Sequence, residues 1–256
     1  MGIQTNLKSL TPRREAYKRE ITLVSGGYYA PKSFPDGKVT VYPWDATVDS
    51  WFQERMRQPK REHALWEVTS KVANLGGINY MDMPVGDILT ILMVARSILS
   101  ECVVDYTAVC PQCNRQNPDK VGIPNGLIAV GKKPSDYKGT DAITLPDSKD
   151  VVELRVMSVG DEIRISERSQ DEKNELPDSI ANILFSVATV GGGRPESKEE
   201  AMIWFNALSP KDADYLGKKR VELTPQLESE MKIKCDGCGH MFTHTLDLHR
   251  DFFRGN

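Results

Sequence analysis

Cys110-Pro111-Gln112-Cys113 and Cys235-Asp236-Gly237-Cys238 decide how this 256-residue chain is read. Each C-x-x-C follows an alternating, strand-like run: Val103-Val104-Asp105-Tyr106-Thr107-Ala108-Val109 before the first, Met231-Lys232-Ile233-Lys234 before the second. A strand that turns at Cys-x-x-Cys aims two thiolates from one tight turn at a common point. Two such turns facing each other build the tetrahedral four-thiolate cage that Zn²⁺ prefers. Cys110, Cys113, Cys235 and Cys238 are therefore the expected ligands of one structural zinc. Residues 114–234 separate the two halves, so a large region must be inserted in the middle of a split zinc ribbon. Closing a flexible loop of that length costs about 4 kcal/mol. A structural zinc contributes on the order of 10–16 kcal/mol, which leaves the shared site affordable in energy.

The competing reading is two unrelated redox or structural pairs. A thioredoxin-like C-x-x-C opens a helix after a strand, whereas Asn114-Arg115-Gln116-Asn117-Pro118 and Gly239-His240-Met241-Phe242 continue as turn and strand. His240, two residues after Cys238, is an alternative ligand that four thiolates make unnecessary. His244 and His249 read as surface or hydrogen-bonded residues. A catalytic zinc needs an open coordination position, and four cysteines close it.

Composition sets wide bounds. With 39% hydrophobic and 27% charged residues the chain has the profile of a soluble globular protein, in one large domain or two smaller ones. A net charge of −3 provides no global basic field, so no nucleic-acid partner is expected. No apolar run reaches the roughly 18 residues of a membrane span. Met1-Gly2-Ile3-Gln4-Thr5-Asn6 lacks the basic-then-apolar profile of a signal peptide. Five cysteines, four of them in pairs, suit metal and a reducing compartment better than a disulfide framework. Cys102, after the apolar helical run, reads as a small buried hydrophobe.

Taken in order, the chain divides into four parts: a polar, basic, extended arm over 1–20, a strand-and-helix region over 21–113, an inserted region over 114–234, and a second knuckle with its closing strand over 235–256. Ile21–Val24 and Lys38–Tyr42 read as strands, with Pro35-Asp36-Gly37 as a turn between them. Asp45 or Thr47 caps a helix carrying Val48, Trp51, Phe52 and Met56, which Pro59 stops. Leu65, Val68 and Val72 form a second helix ending at Gly76-Gly77. Val85–Leu99, with Asp87 as its N-cap, is apolar around most of its circumference and should lie at the centre of a core.

Beyond Cys113, a Pro- and Gly-rich stretch to about residue 140 reads as surface loop. Thr144-Leu145 and Val151–Val156 form a hairpin. Val159-Gly160-Asp161 starts a helix, as Val85-Gly86-Asp87 does. Ile180–Val187, Ser197–Leu208 and Pro210–Val221 are further helices, and Met231–Lys234 and Phe242–Leu248 are strands. The fold expectation is α+β: a helical core with small antiparallel strands and two C-x-x-C knuckles enclosing a large insertion.

Other motifs carry little chemistry. Gly191-Gly192-Gly193-Arg194 lacks the G-x-x-x-x-G-K-[ST] pattern of a phosphate loop and reads as a linker after a helix. Asp161-Glu162 and Glu199-Glu200 read as helix starts and solvated faces. No nucleophile–base pair stands out, and the expectation is a protein without catalysis.

The order of several segments carries a resemblance. These are Ser25-Gly26-Gly27-Tyr28-Tyr29, Gly37-Lys38-Val39-Thr40-Val41, Pro84-Val85-Gly86-Asp87 with Ala95-Arg96, the two knuckles, and Phe252-Phe253 near the end. In this order the chain resembles the baseplate hub and hub-assembly proteins of T-even-type, contractile-tailed bacteriophages. The resemblance implies a structural or assembly component of the virion tail, assembled in the host cytoplasm, with other tail and baseplate proteins as partners and a homo-oligomer allowed. The rival is a zinc-ribbon nucleic-acid-binding or transcription-associated protein using Arg115, Lys120, Lys232, Lys234 and Arg250, a face that Asp236, Asp247 and Asp251 dilute. A metal-dependent hydrolase lacks the residues.

Overall fold

The most apolar stretch of the sequence becomes the helix Val85–Ser97, and around it the main core closes: Ile88, Ile91, Leu92 and Ala95 are fully buried. Such a helix cannot face water along most of its length, so strands and helices must cover it on several sides. The computed structural model describes residues 11–60, 63–99, 102–123, 129–130, 137–169, 178–193, 198–227 and 230–245. In chain order the elements are α1 (Thr11–Ala16), β1 (Arg19–Thr22), β2 (Lys38–Val41), α2 (Ala46–Arg55), α3 (Ala64–Glu67), α4 (Thr69–Val72), β3 (Ala73–Asn74), α5 (Val85–Ser97), β4 (Cys102–Val109), β5 (Gln116–Ile123), β6 (Ala129–Val130), β7 (Thr140–Thr144), β8 (Val151–Arg155), α6 (Val159–Ser169), α7 (Asp178–Ser186), β9 (Val187–Val190), α8 (Lys198–Asn206), α9 (Pro210–Leu223), β10 (Gln226–Leu227), β11 (Glu230–Lys234) and β12 (Met241–Thr245). The fold is α+β, with small antiparallel sheets: β1-β2-β3, β7-β8-β9 and the pairs β4-β5, β11-β12 and β6-β10.

The sheet β1-β2-β3 lays Val39 and Val41 on the main core beside α5, and Val48 and Phe52 of α2 close it from another side. Asp45 caps α2 as expected, its carboxylate accepting from the N–H groups of Thr47 and Val48 at 3.0 Å each. The helix ends at Arg55, short of Pro59. The single helix expected through Val72 is instead two four-residue pieces, α3 and α4. Ala73 and Asn74 then leave as β3 to pair with Val41 and Thr40, a pairing too short to leave a period in the sequence. Within the expected extended arm, Thr11–Ala16 are helical, and Arg14 reaches the Lys71 carbonyl with its guanidinium. Residues 1–10 lie outside the described residues.

A second core lies on the β7-β8 hairpin. Leu145, Val152 and Leu154 pack there with Leu216 and Leu223 of α9. Ser209 caps α9, and the buried Asp212 accepts from the N–H groups of Asp147 (2.8 Å) and Ser148 (3.0 Å) in the hairpin turn. Both Val-Gly-Asp tripeptides begin helices, α5 and α6, and the two helix starts are joined. Val159 N–H donates to the Met83 carbonyl at 2.8 Å, and Pro84 and Ser158 form an antiparallel bridge. Ser158 and Asp161 exchange N–H donation in a capping box, and Arg155 adds a two-pronged ion pair to the Asp161 carboxylate. Burial alone would raise that carboxyl, but Arg155 and Ser158 hold it below its usual range.

Several expectations need correction. Asp87 is not the N-cap of α5; Pro84 is, and Asp87 is the third helical residue, buried completely. Residues 116–123, read as loop, form β5, paired with β4 from Gln116↔Val109 to Ile123↔Cys102. Pro118 is tolerated because this ladder has only two strands, so both its strands are edges. Val187–Val190, taken as the end of a helix, is β9 and pairs with β8. Gly191-Gly192-Gly193 accordingly follows a strand, and two of its N–H groups are engaged: Gly191 donates to the Val151 carbonyl, Gly193 to that of Val190. Cys102 opens β4, and its side chain lies outside the described residues. So do the last residues of the strand expected through Leu248.

Gly86 decides how the C-terminal segment reaches α5. A Cβ at this position would sit 2.2 Å from the carbonyl oxygen of Pro225, just before β10. Gly86→Ala is therefore expected to destabilise the protein by roughly 2–3 kcal/mol, because backbone must move to admit the methyl group. Denaturant unfolding of the two proteins checks this, and an unchanged midpoint would contradict it.

Candidate metal centre

The strands β4 and β5 are joined by the turn 110–115, and β11 and β12 by the turn 235–240, and the two turns are built alike. Cys110 N–H donates to the Arg115 carbonyl and Asn114 N–H to the Cys110 carbonyl, each at 2.9 Å. In the second turn Cys235 N–H donates to His240 and Gly239 N–H to Cys235, again at 2.9 Å. The residue after the second cysteine has left-handed backbone in both turns: Asn114 at φ 56° and Gly239 at φ 73°. Asparagine and glycine are the residues that adopt this region at least cost, so the local sequence fixes the turn.

The four sulfurs converge. Every Sγ of Cys110, Cys113, Cys235 and Cys238 lies within 4.8 Å of the other three. Cys110 and Cys238 are 3.7 Å apart, Cys113 and Cys235 3.6 Å. A tetrahedron with metal–sulfur bonds of about 2.3 Å has edges of about 3.8 Å, so the spacing fits one metal ion among four thiolates. Cys110 and Cys235 are buried; Cys113 and Cys238 are exposed. N–H donation from Cys238 and from Gly237 (3.4 Å) pulls the Cys235 thiol down to about 6, against its burial. Arg115 N–H favours the Cys113 thiolate too, but the neighbouring sulfurs of Cys238, Cys235 and Cys110 outweigh it and push that thiol up to about 12. One thiolate forms readily and the last resists; a divalent cation supplies the charge that lets all four ionise.

The structure thus brings together all four cysteines singled out in the sequence. His240 is exposed and stacks on Phe242, with ring centroids 6.4 Å apart. His244 stacks on Tyr106 at 5.4 Å. Tyr106, Ala108 and Ile233, with Met231 and Phe242 packed against them, form a small core that holds the two hairpins together.

One residue of the site was missed. Asn117 is buried; its side-chain carbonyl accepts from Asp236 N–H at 3.0 Å, and its amide donates to Arg115 O (3.0 Å) and Ala108 O (3.3 Å). It ties one knuckle to the other. A lone asparagine in a polar stretch gives no periodic or motif signal, so nothing in the sequence marks it. Groups that orient ligands typically carry a factor of about 10–100 in metal affinity. Asn117→Ala is expected to weaken metal binding by about that factor, read by competition with a chromophoric chelator; an unchanged affinity would contradict the brace.

Away from the cysteines, a groove of about 340 Å³ is lined by His63, Trp66, Val85, Leu89, Glu162, Ile163 and Ser166. Among the described residues, the Nε2 of His63 is buried without a hydrogen-bond partner and stands 3.6 Å from the Glu167 carboxylate. Among the described residues no helix is long and apolar enough to cross a membrane.

A protein-family model described as T4 bacteriophage base plate protein matches residues 53–254, a span that takes in both knuckles. No curated protein and no solved structure matches the chain.

Proposed function

Because the chain belongs to the T4 bacteriophage base plate protein family, we propose that it is a structural or assembly component of the hub region of a contractile phage tail baseplate, held in shape by one zinc ion and acting through contacts with other tail proteins. Its location is the virion tail, after assembly in the host cytoplasm, and it carries out no catalysis. The observation that carries this reading is the four-sulfur cluster, which joins residues 110–113 to 235–238 and so closes the intervening chain at its base. In functional terms the chain divides into the arm 1–20, the region 21–113 ending in the first knuckle, the inserted region 114–234 and the closing segment 235–256. The zinc ribbon is the pair of hairpins β4-β5 and β11-β12, and Cys110, Cys113, Cys235 and Cys238 are its ligands. Soft thiolates in a tetrahedral set select zinc over hard cations, and a closed four-cysteine shell leaves the ion no substrate position. When bound, zinc supplies neutralising charge and a fixed geometry; the protein's own groups aim the sulfurs, through the two left-handed turns and Asn117.

The nucleic-acid reading uses Arg115, Lys120, Lys232, Lys234 and Arg250, the last of which lies outside the described residues. Lys120 is paired with Asp105 at 2.9 Å, which weakens the basic face. Co-purification with tail proteins, run beside gel-shift titrations at low and high salt, separates the two functions. The baseplate reading expects retention of tail proteins with the zinc-loaded chain and its loss after chelation. Tight DNA or RNA binding that falls steeply with salt, with no tail partner retained, would overturn it.

A further inference from the structure

Each of the two short sulfur contacts crosses from one hairpin to the other, and each joins an exposed cysteine to a buried one. Exposed Cys113 lies 3.6 Å from buried Cys235, and exposed Cys238 lies 3.7 Å from buried Cys110. We propose that the cluster is also an oxidative modification site, in which a peroxide converts the metal-free cysteines into two cross-hairpin disulfides, Cys113–Cys235 and Cys110–Cys238.

The chemistry follows from the two cross-hairpin contacts. In each pair one sulfur, as a thiolate, attacks one oxygen of hydrogen peroxide; the O–O bond breaks, hydroxide leaves and takes a proton, and that sulfur becomes a sulfenic acid. The sulfur across the gap then attacks it as a thiolate. An S–S bond forms, the S–O bond breaks, and hydroxide leaves as water with the resolving thiol's proton. Per pair, two thiols and one peroxide give one disulfide and two waters; peroxide oxygen is reduced and sulfur oxidised. To bond, a sulfur–sulfur contact of 3.6–3.7 Å must shorten to about 2.05 Å.

The pairing has a structural consequence that a C-x-x-C disulfide within one turn would lack. A Cys110–Cys113 bond links two residues of the same turn and ties nothing to the chain's end. The cross-hairpin bonds replace the metal's role, keeping both ends of residues 114–234 together when the ion is withdrawn. Their usefulness outside a reducing cytoplasm rests on the proposed place in a released particle; the pairing itself rests on the sulfur positions alone.

The test uses the full chain. Its metal content is first measured, the metal is then removed with a chelator, dilute hydrogen peroxide is added, and free thiols are blocked. Proteolysis without reductant and mass spectrometry then map the linked peptides. The expected result is cross-linked peptides joining Cys113 with Cys235 and Cys110 with Cys238. Cys113→Ser should keep only Cys110–Cys238, and Cys238→Ser only Cys113–Cys235. Peptides linked as Cys110–Cys113 and Cys235–Cys238, or sulfinic acids without disulfides, would overturn the proposal. The initial metal measurement separates this outcome from the zinc reading: a metal-free preparation that still forms the cross-hairpin pairs defeats zinc and sustains the disulfides. If a variant fails to fold, the wild-type map decides.

Discussion

Cys110→Ser and Cys235→Ser are each expected to abolish stoichiometric metal binding, although the two cysteines stand in turns at opposite ends of residues 114–234. In the structure every sulfur lies within 4.8 Å of the other three, so losing either knuckle's buried ligand leaves three thiolates and an open position. Structural zinc in small domains contributes roughly 10–16 kcal/mol of binding free energy, and a folded protein typically has only about 5–15 kcal/mol in total. The variants should therefore lose much of their stability, seen as a large drop in unfolding midpoint and as rapid proteolysis. Cys102→Ser, which belongs to neither C-x-x-C pair, is the control and should keep full metal content. A Cys110→Ser protein with unaltered metal content and midpoint would mean that the two knuckles bind separately or not at all.

The second large effect is expected at Asp87, far from the cysteines. Its carboxylate is fully buried and accepts from Ser25 N–H at 2.9 Å, from the Ser25 hydroxyl and from Tyr29 O–H at 3.0 Å. Asp87→Ala leaves these donors in the core without a partner, and each such group costs about 1–3 kcal/mol, so a loss of roughly 3 kcal/mol or more is expected. A pH signature distinguishes the charge from the bonds. Burial pushes the Asp87 carboxyl up to about 6 from 3.8, against the hydrogen bonds from Ser25, Tyr29 and the Val24 backbone, which favour the anion. The titratable groups facing it are Tyr28 and Tyr29, both raised by their own burial. The folded protein thus holds this proton to higher pH than the unfolded chain does. The resulting stabilisation is complete below about pH 4 and is lost as pH rises through about 6, a span worth roughly 3 kcal/mol. Measured against Asp87→Asn, which cannot titrate, the wild type should gain about 1 kcal/mol of unfolding free energy on going from pH 8 to pH 5. A constant difference, or one of opposite sign, would show that Asp87 keeps an ordinary carboxyl.

Asp87 also marks the limit of what the sequence reveals. Its Val-Gly-Asp context correctly signals a helix start, and so does the repeat at Val159-Gly160-Asp161. What a one-dimensional pattern cannot supply is the partner, because Ser25 stands 62 positions earlier and only the folded chain brings it to the helix. Elements with a local cause were legible: Asp45 caps α2, Pro210 follows the cap Ser209 into α9, and the turn around Pro146–Asp150 closes β7 onto β8. Elements with a remote cause were not. Gln116-Asn117-Pro118-Asp119 has little strand preference of its own and is extended because the first knuckle turns it back along β4. Val187–Val190 is β-branched enough for a strand, but it runs on from the helical period of Ile180, Ile183 and Leu184. At the helix end Ser186 donates its hydroxyl to the Asn182 and Ile183 carbonyls, and the strand pairing with β8 takes over from Val187. The four cysteines were legible because metal chemistry prescribes residue type and spacing together; Asn117, which braces them, obeys no such rule.

X-ray absorption at the zinc edge of the purified chain, combined with elemental analysis, tests the shared site most directly. One zinc per chain surrounded by four sulfurs at about 2.3 Å, with no nitrogen in the shell, is the expected result. A shell containing a histidine nitrogen, a second zinc per chain, iron in place of zinc, or no metal under reducing conditions would contradict it.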